Sequence, residues 1–528
     1  MKRFLSIVLV CALLLTAGAC SFSGNNTAFT MGVLDSVVVL DPIFADGDSE
    51  KIVAANCFEG LLRFDNTGKI DLAGATGYTV DKSSLKYTFR LNPEAVWFIS
   101  DGAETLMESV GLTDFDERVT ARDYIYGIQR YIENSEQELR TIKGAAEYQS
   151  GDKKAVSGLK AIDDYTLEIT LKQVDPDFLY KLAALPLYPC NKDFCEALDA
   201  IYCSTPTTTL YNGPYYVKES SAAETIIERN PEYNGNIQVE NKTVTLYSTG
   251  KASTLITRFE EGNYDLVITP DTEIITDEKA VSYALSSIWG LTFNCSSEKG
   301  ANKTLRKLLA GTVNYEKIVI PDFALGEAGT IIPDVYTIHD DVYSSFEPQK
   351  PTPPEKDKNH EEKIDKILDE FDCEVVEIKF VAPVDMKKSA QAIIANWQKL
   401  FGEKLIVTLD TFEAEDSLEI AEKGNYDAAI LPITPRMHTA SSVIDSIKGA
   451  PCYYADKKIT ALQKKTGTTA EDAASAYSSI EKSLVSDGVF IPLFYTGSSL
   501  YLGADISGMY VSDGGNALYL YAGVLSEE

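Results

Sequence analysis

The first twenty residues fix where the rest of the chain folds. Lys2 and Arg3 open with positive charge, and Phe4 to Leu15 follows as a predominantly apolar run. Ala17-Gly18-Ala19-Cys20 comes next. The run is shorter than the roughly 20 apolar residues a bilayer-spanning helix needs, so residues 1–19 are expected to be a secretory signal peptide. The cut admits two readings. Ala17 and Ala19 suit an ordinary signal peptidase. Cys20, directly after the cut, suits bacterial lipoprotein processing, in which its thiol takes a diacylglycerol, although Ala17 stands where such signals usually carry Leu. A lipid on Cys20 is the expectation, with residues 20–27 as a polar, flexible tether and the folded body held outside the cell membrane. No other stretch approaches about 18 apolar residues.

With 79 acidic against 48 basic residues the net charge is −31, which repels phosphate backbones and excludes nucleic-acid binding as the main function. Histidine occurs three times, as His339, His360 and His438, which starves most metal and imidazole-based catalytic schemes. Besides Cys11 in the leader and Cys20, seven cysteines remain, and an odd number cannot all pair internally. Cys190, Cys195 and Cys203 lie close in sequence, so one local disulfide is expected there. The competing readings are buried free thiols and a metal cluster, which lacks a fourth nearby ligand.

A chain of 528 residues divides into two to four domains at about 100–200 residues each. Leu85, Tyr87, Phe89 and Leu91 alternate in strand fashion, as do Tyr165, Leu167, Ile169 and Leu171. Between them, Thr120 with Asp123 has capping-box spacing and opens a helix with Ile125, Ile128 and Ile132 as its buried stripe. Further helices are expected over about 386–401, stopped by Gly402, and over about 470–486, ended near Gly488. Short apolar strands fall between helices at Leu266–Thr269, Leu405–Leu409, Ala428–Leu431 and Phe490–Tyr495. This alternation means α/β domains with mixed sheets.

Catalytic patterns are missing. No His-Glu-x-x-His, Gly-x-Ser-x-Gly or Gly-x-Gly-x-x-Gly occurs. Asp41, Asp46 and Asp48 do not match calcium-loop spacing, and no ligand set for nickel or haem is apparent. No catalytic residue, metal or cofactor is expected, and an exported multidomain chain of this kind reads as a binding protein. An extracellular hydrolase using Asp41, Asp46 and Arg436 is the weaker reading.

A series of short motifs runs through the chain in one order. They are Leu40-Asp41-Pro42, Cys57-Phe58-Glu59-Gly60-Leu61-Leu62, Leu85-Lys86-Tyr87-Thr88-Phe89-Arg90-Leu91, Val96-Trp97 and Thr120-Ala121-Arg122-Asp123. Gly213-Pro214-Tyr215, Arg229-Asn230-Pro231-Glu232-Tyr233, Gly262-Asn263-Tyr264-Asp265, Leu291-Thr292-Phe293-Asn294 and Asp487-Gly488-Val489-Phe490-Ile491-Pro492-Leu493 follow. In this order they resemble the peptide/nickel-type, family 5 solute-binding proteins of bacterial ABC importers. Residue by residue these positions read as core and turns.

The resemblance implies a periplasmic-binding-protein-like α/β fold: two lobes with mixed sheets, a hinge, a central cleft and an extra N-terminal subdomain. Lobe I would comprise 28–71, 180–269 and 488–528, the extra subdomain 72–179 and lobe II 270–487, with crossings near Thr269-Pro270 and Gly488. It further implies a monomer that captures a peptide or other small solute and hands it to ABC permease subunits with cytoplasmic ATPases. A ligand sensor on the same fold is the alternative. Three segments would line the cleft and supply Phe44 and Ala45, then Trp289, Leu291 and Asn294, then Ile433, Thr434, Arg436 and His438. Family members that take peptides hold the ammonium with an Asp in the third segment, where this chain has Arg436, and Ile433 stands where Trp is usual. Pro432 and Pro435 remove backbone donors from the same stretch. Arg436 therefore reads either as the receiver of a carboxylate or as an ion-pair partner.

Overall fold

The computed structural model describes residues 27–65, 68–135, 138–239, 241–269, 280–339, 341–467 and 469–503, with short pieces between 506 and 525. Residues 1–19, Cys20 and the tether up to Asn26 lie outside the described residues, as does Pro270. Among the described residues no helix is long and apolar enough to cross a membrane.

In chain order, β1 (Thr27–Val33) leads through a short turn to α1 (Asp48–Cys57). β2 (Ala75–Val80), β3 (Lys86–Leu91), α2 (Ala121–Asn134), β4 (Leu159–Asp163) and β5 (Thr166–Thr170) follow, then α3 (Phe178–Ala184). β6 (Tyr215–Ser220), β7 (Glu224–Arg229), β8 (Asn241–Ser248) and β9 (Leu266–Thr269) come next. The rest is β10 (Ala280–Phe293), β11 (Val376–Pro383), α4 (Lys387–Phe401), β12 (Leu405–Phe412), β13 (Ala428–Ile433), α5 (Ala470–Ser486) and β14 (Phe490–Leu502).

Two sheets carry the architecture. A 4-stranded antiparallel sheet has the order β2-β3-β5-β4. A mixed sheet of 11 strands runs β12-β11-β13-β10-β14-β9-β1-β8-β7-β6, with Gly326–Glu327 pairing on β14. β11 is parallel to β12 and β13, and β1 is parallel to β8 and β9, while the other neighbours are antiparallel. β10 and β14 pair along nearly their whole length, from Ala280 opposite Tyr501 to Thr292 opposite Phe490.

Side chains collect into three main cores. One joins β1, α1 and β6–β9 (Phe29, Met31, Ile52, Tyr215, Ile227, Leu246, Leu266) with Leu500 and Leu502 from the end of β14. A second fills the far half of the mixed sheet with Leu291, Phe380, Trp397, Ile430, Ile480 and Phe490. The third belongs to the small sheet and extends from Leu61 to Leu210, wider than the expected 72–179, because Leu182, Leu187, Phe194 and Leu198 bury their apolar surface there. The return to the first core likewise differs from the expected point at Gly488. Val489, Phe490, Ile491 and Phe494 still pack in the second core, so the chain crosses within β14. At about 3.3 Å per residue a strand of 13 residues is long enough to serve both halves.

Local chemistry explains the elements. The Thr120 amide and hydroxyl each donate to Asp123 Oδ2 at 2.7 Å, starting α2. Its buried face is Tyr124, Ile128 and Ile132, one residue rotated from the expected stripe, and Ile125 is half-buried. Gly127 sets that rotation, since a Cβ there would sit 2.0 Å from the Tyr188 carbonyl oxygen. α4 ends at Gly402 with φ +57, and Gly488, just after α5, has φ +63, a region that glycine enters at little cost. Among the described residues every cysteine is a free thiol, so the local disulfide expected near Cys190 does not form. Cys190 instead donates to the Tyr202 oxygen at 3.2 Å and accepts from Arg130 at 3.7 Å.

Candidate functional site

The first wall of the site is built by a largely buried carboxylate. Glu50, in the first turn of α1, takes the amides of Val38 and Val39 on one oxygen (3.1 and 2.9 Å) and those of Asp46 and Gly47 on the other (3.1 and 3.3 Å). Four backbone donors on one buried acid fix the loop from 38 to 47 and the start of α1. Asp41 ties the same loop to α2 through Arg130 at 2.6 Å, with both side chains mostly buried. Ala45 and Lys51 are thereby held facing inward. Burial pushes the Asp48 carboxyl up, opposed by the nearby Lys51 ammonium.

The opposite wall is the stretch after β13. Thr434 bonds Ser287 on β10 at 2.8 Å between hydroxyls. Arg436 Nη1 donates to Glu138 Oε1 at 2.5 Å. Met437 packs against Phe64 and Tyr180, and Ser441 donates to Asp177, a carboxyl raised by its burial. His438 stacks on Tyr336 with ring centroids 4.7 Å apart, and its carbonyl accepts from the Thr337 amide at 2.9 Å.

These walls border an open cleft of about 1050 Å³, its solvent-filled mouth included, floored by Ala183–Pro186 and Tyr188 after α3 and flanked by Phe64, Ser286 and Tyr519. A second, much smaller chamber, with room for little more than a water molecule, adjoins it across Ala55, Ala183, Leu185, Tyr188 and Tyr519. Glu59 lines this chamber, and burial raises its carboxyl to about 7 against the lowering pull of the Tyr233 hydroxyl at 2.6 Å and Arg63 at 3.6 Å. Among the described residues no group of three or more side chains is arranged to hold a metal ion.

Of the residues the resemblance implied for the cleft, Ala45, Thr434, Arg436 and His438 border the main cavity. The other expected residues do not. Phe44 is 48% exposed and lies outside the lining. Trp289 stacks flat on Phe494 at 5.6 Å and donates its indole N–H to Thr496 at 3.1 Å. Leu291 and Ile433 are core side chains. Asn294 donates to the Gly424 carbonyl at 2.8 Å and accepts from the Ser296 amide at 2.9 Å, so it shapes a turn. The reason is shared: β10 is paired by β13 on one side and β14 on the other, which occupies its backbone groups and sends its side chains into packed layers. Sequence reasoning missed Lys51, Phe64, Ser286, Tyr519 and the run 183–188. One signal was present in that run: small residues Ala183 and Ala184 ending a helix just before Pro186 leave space rather than fill it.

The chain matches bacterial extracellular solute-binding proteins, family 5 Middle, over residues 69–453. It is 29% identical over 270 residues to the oligopeptide-binding protein AmiA of Streptococcus pneumoniae, which covers 48% of this chain and 39% of that protein. It is 31% identical over 206 residues to the oligopeptide-binding protein SarA of Streptococcus gordonii, covering 37% of this chain and 29% of the relative. The matched stretch thus spans about two fifths or less of these curated relatives. A probable deoxycholate-binding periplasmic protein of Escherichia coli, YgiS, is 24% identical over 78% of this chain and 76% of its own length. Among solved structures, Listeria monocytogenes OppA bound to peptide superposes with a TM-score of 0.69 at 20% identity, covering 96% of this chain and 100% of that one. The Haemophilus influenzae OppA complex with a peptide gives 0.69 at 20% identity, covering 95% and 99%. The mixed α/β architecture is that of these periplasmic binding proteins, and the chain belongs to the bacterial extracellular solute-binding proteins of family 5.

Proposed function

We propose that the protein is the substrate-binding component of an ABC importer. It captures a peptide in the cleft between its lobes and delivers it unaltered to membrane permeases served by cytoplasmic ATPases. The observation that carries this reading is the open cleft of about 1050 Å³ bordered by segments of all three cores. Clefts between lobes suit ligands that are released again when the lobes open. The peptide-binding names of AmiA and SarA support the cargo class.

The domain division that accompanies this reading is lobe I from 28–71, 180–269 and 488–528, an extra subdomain and lobe II, with the subdomain widened and the return moved into β14 as the packing suggests. The chain acts as a monomer, anchored outside the cell membrane by a lipid on Cys20.

Recovery of bound solute tests the cargo. Protein purified without refolding, then denatured and analysed by mass spectrometry, is expected to release peptides, and re-addition of those peptides to stripped protein should raise its Tm. Release of a non-peptide solute, with no Tm change from a broad peptide set, would overturn the reading.

A further inference from the structure

The charge that lines the main cavity runs against the charge of the chain. The protein carries a net −31, yet the charged side chains in the lining are Lys51 and Arg436, with the His438 imidazole beside them and no Asp or Glu among the described lining residues. Arg436 is paired with Glu138, but the two partners are unequally placed. The Glu138 side chain is 8% exposed and is not part of the lining, whereas the Arg436 side chain is 60% exposed and is. The guanidinium therefore screens its carboxylate and turns its own surface to the cavity. Lys51 has Asp48 as an acidic neighbour, but Asp48 is not part of the lining whereas Lys51 is.

The two cations belong to different bodies. Lys51 sits on α1, whose Ile52 and Val53 pack in the first core, and Arg436 follows β13, which packs in the second. Bringing the walls together concentrates positive charge in a space partly withdrawn from water, and an anion lying between them relieves that cost. Charge and closure are thus coupled through what occupies the cleft.

We infer that the cleft selects peptides bearing carboxylate groups, received between Lys51 on one lobe and Arg436 on the other. This inference rests on the peptide reading above. The carboxylate meant is that of an acidic side chain, whose planar acceptor suits a guanidinium fork, and the amidated probes separate it from the peptide C-terminus.

Titration calorimetry with stripped protein tests it. The probes are three peptides of one length containing Glu, Gln or Lys at matched positions, each with a free and an amidated C-terminus. The Glu peptide is expected to bind about tenfold or more tighter than the Gln peptide, with the Lys peptide weakest and the preference shrinking in high salt. Lys51→Gln and Arg436→Gln should each collapse the Glu-to-Gln ratio while sparing the Gln peptide. Glu138→Gln, which breaks the same ion pair but keeps the cation, should preserve the ratio and so separates anion recognition from a merely structural role. Retention of the Glu-over-Gln preference in the amidated peptides supports the inference, and its loss on amidation overturns it. Equal affinity for all peptides, or a ratio unchanged in both Lys51→Gln and Arg436→Gln, overturns it and leaves the peptide reading standing. Failure of every peptide to bind overturns the peptide reading, and the inference with it.

Discussion

Glu481 is the kind of residue that sequence alone passes over. It lies on α5 among apolar neighbours and accepts from the Ile331 and Ile332 amides at 2.8 Å each and from the Tyr343 hydroxyl at 2.5 Å. Burial nonetheless dominates and raises its carboxyl from 4.5 to about 7, with Asp334 adding repulsion. A raised acid holds its proton in the folded state when the unfolded chain has already lost it. Stability contributed here is therefore present below about 4.5 and lost as pH climbs through about 7, by at most about 3 kcal/mol. Glu481→Gln keeps an acceptor for the amides and removes the titration. Its urea midpoint should fall less between pH 4.5 and 7 than that of the parent chain, with a remaining slope from Glu59, which shifts the same way. An identical slope in both proteins would remove Glu481 from the pH response. Arg436 teaches the complementary lesson at this scale. The family resemblance placed it in a segment expected to line the cleft, but Glu138 as its partner was not legible, because the two are 298 positions apart and on different bodies.

Elements were legible where one periodicity dominates. α4 and α5 show helical spacing over 15 and 17 residues, and the glycine stops at 402 and 488 locate their ends. β10 and β14 were not legible as units. Only their apolar ends, such as Phe490–Tyr495, stand out, and the Ser- and Gly-containing middles carry no alternation although the ladder passes through them. Nor did periodicity settle the face of α2, where tertiary approach decided the rotation. Gly127 lies against the 188–190 segment, an irregular stretch that supports the cavity floor. Gly127→Ala should therefore lower stability by about 1–3 kcal/mol in denaturant melts and weaken ligand binding together with it, since the helix must back away from Tyr188. A variant with parental stability would mean that the two segments have room to part.

For the whole molecule, the family resemblance implied two lobes and an extra subdomain, and the described side chains collect into three main cores whose seams depend on which core each segment joins. Leu182 to Leu198 could serve two cores by hydrophobicity, and geometry chose the third. The proposed anchor belongs to this scale as well, since a lipid on Cys20 would keep the folded body near the proposed permeases. Cys20→Ala should release the protein into the medium or periplasm and abolish incorporation of labelled fatty acid, while ligand affinity of the purified body is unchanged. Labelled fatty acid still present in Cys20→Ala would place the lipid elsewhere or exclude it.

The ladder shared by β10 and β14 restricts how the halves can move. Its register shifts at Ala280/Ser282, Leu285/Ser287 and Trp289/Gly290 are places where a ribbon bends and twists, but the pairing on either side is continuous. A slip of one residue would turn every side chain on the ribbon to the wrong face, so sliding is forbidden. For lobes that open as proposed, a swivel about the ribbon's own axis remains, and the contacts that must part are Glu138 with Arg436 and Asp177 with Ser441. Those two clasps set how readily a guest is let go.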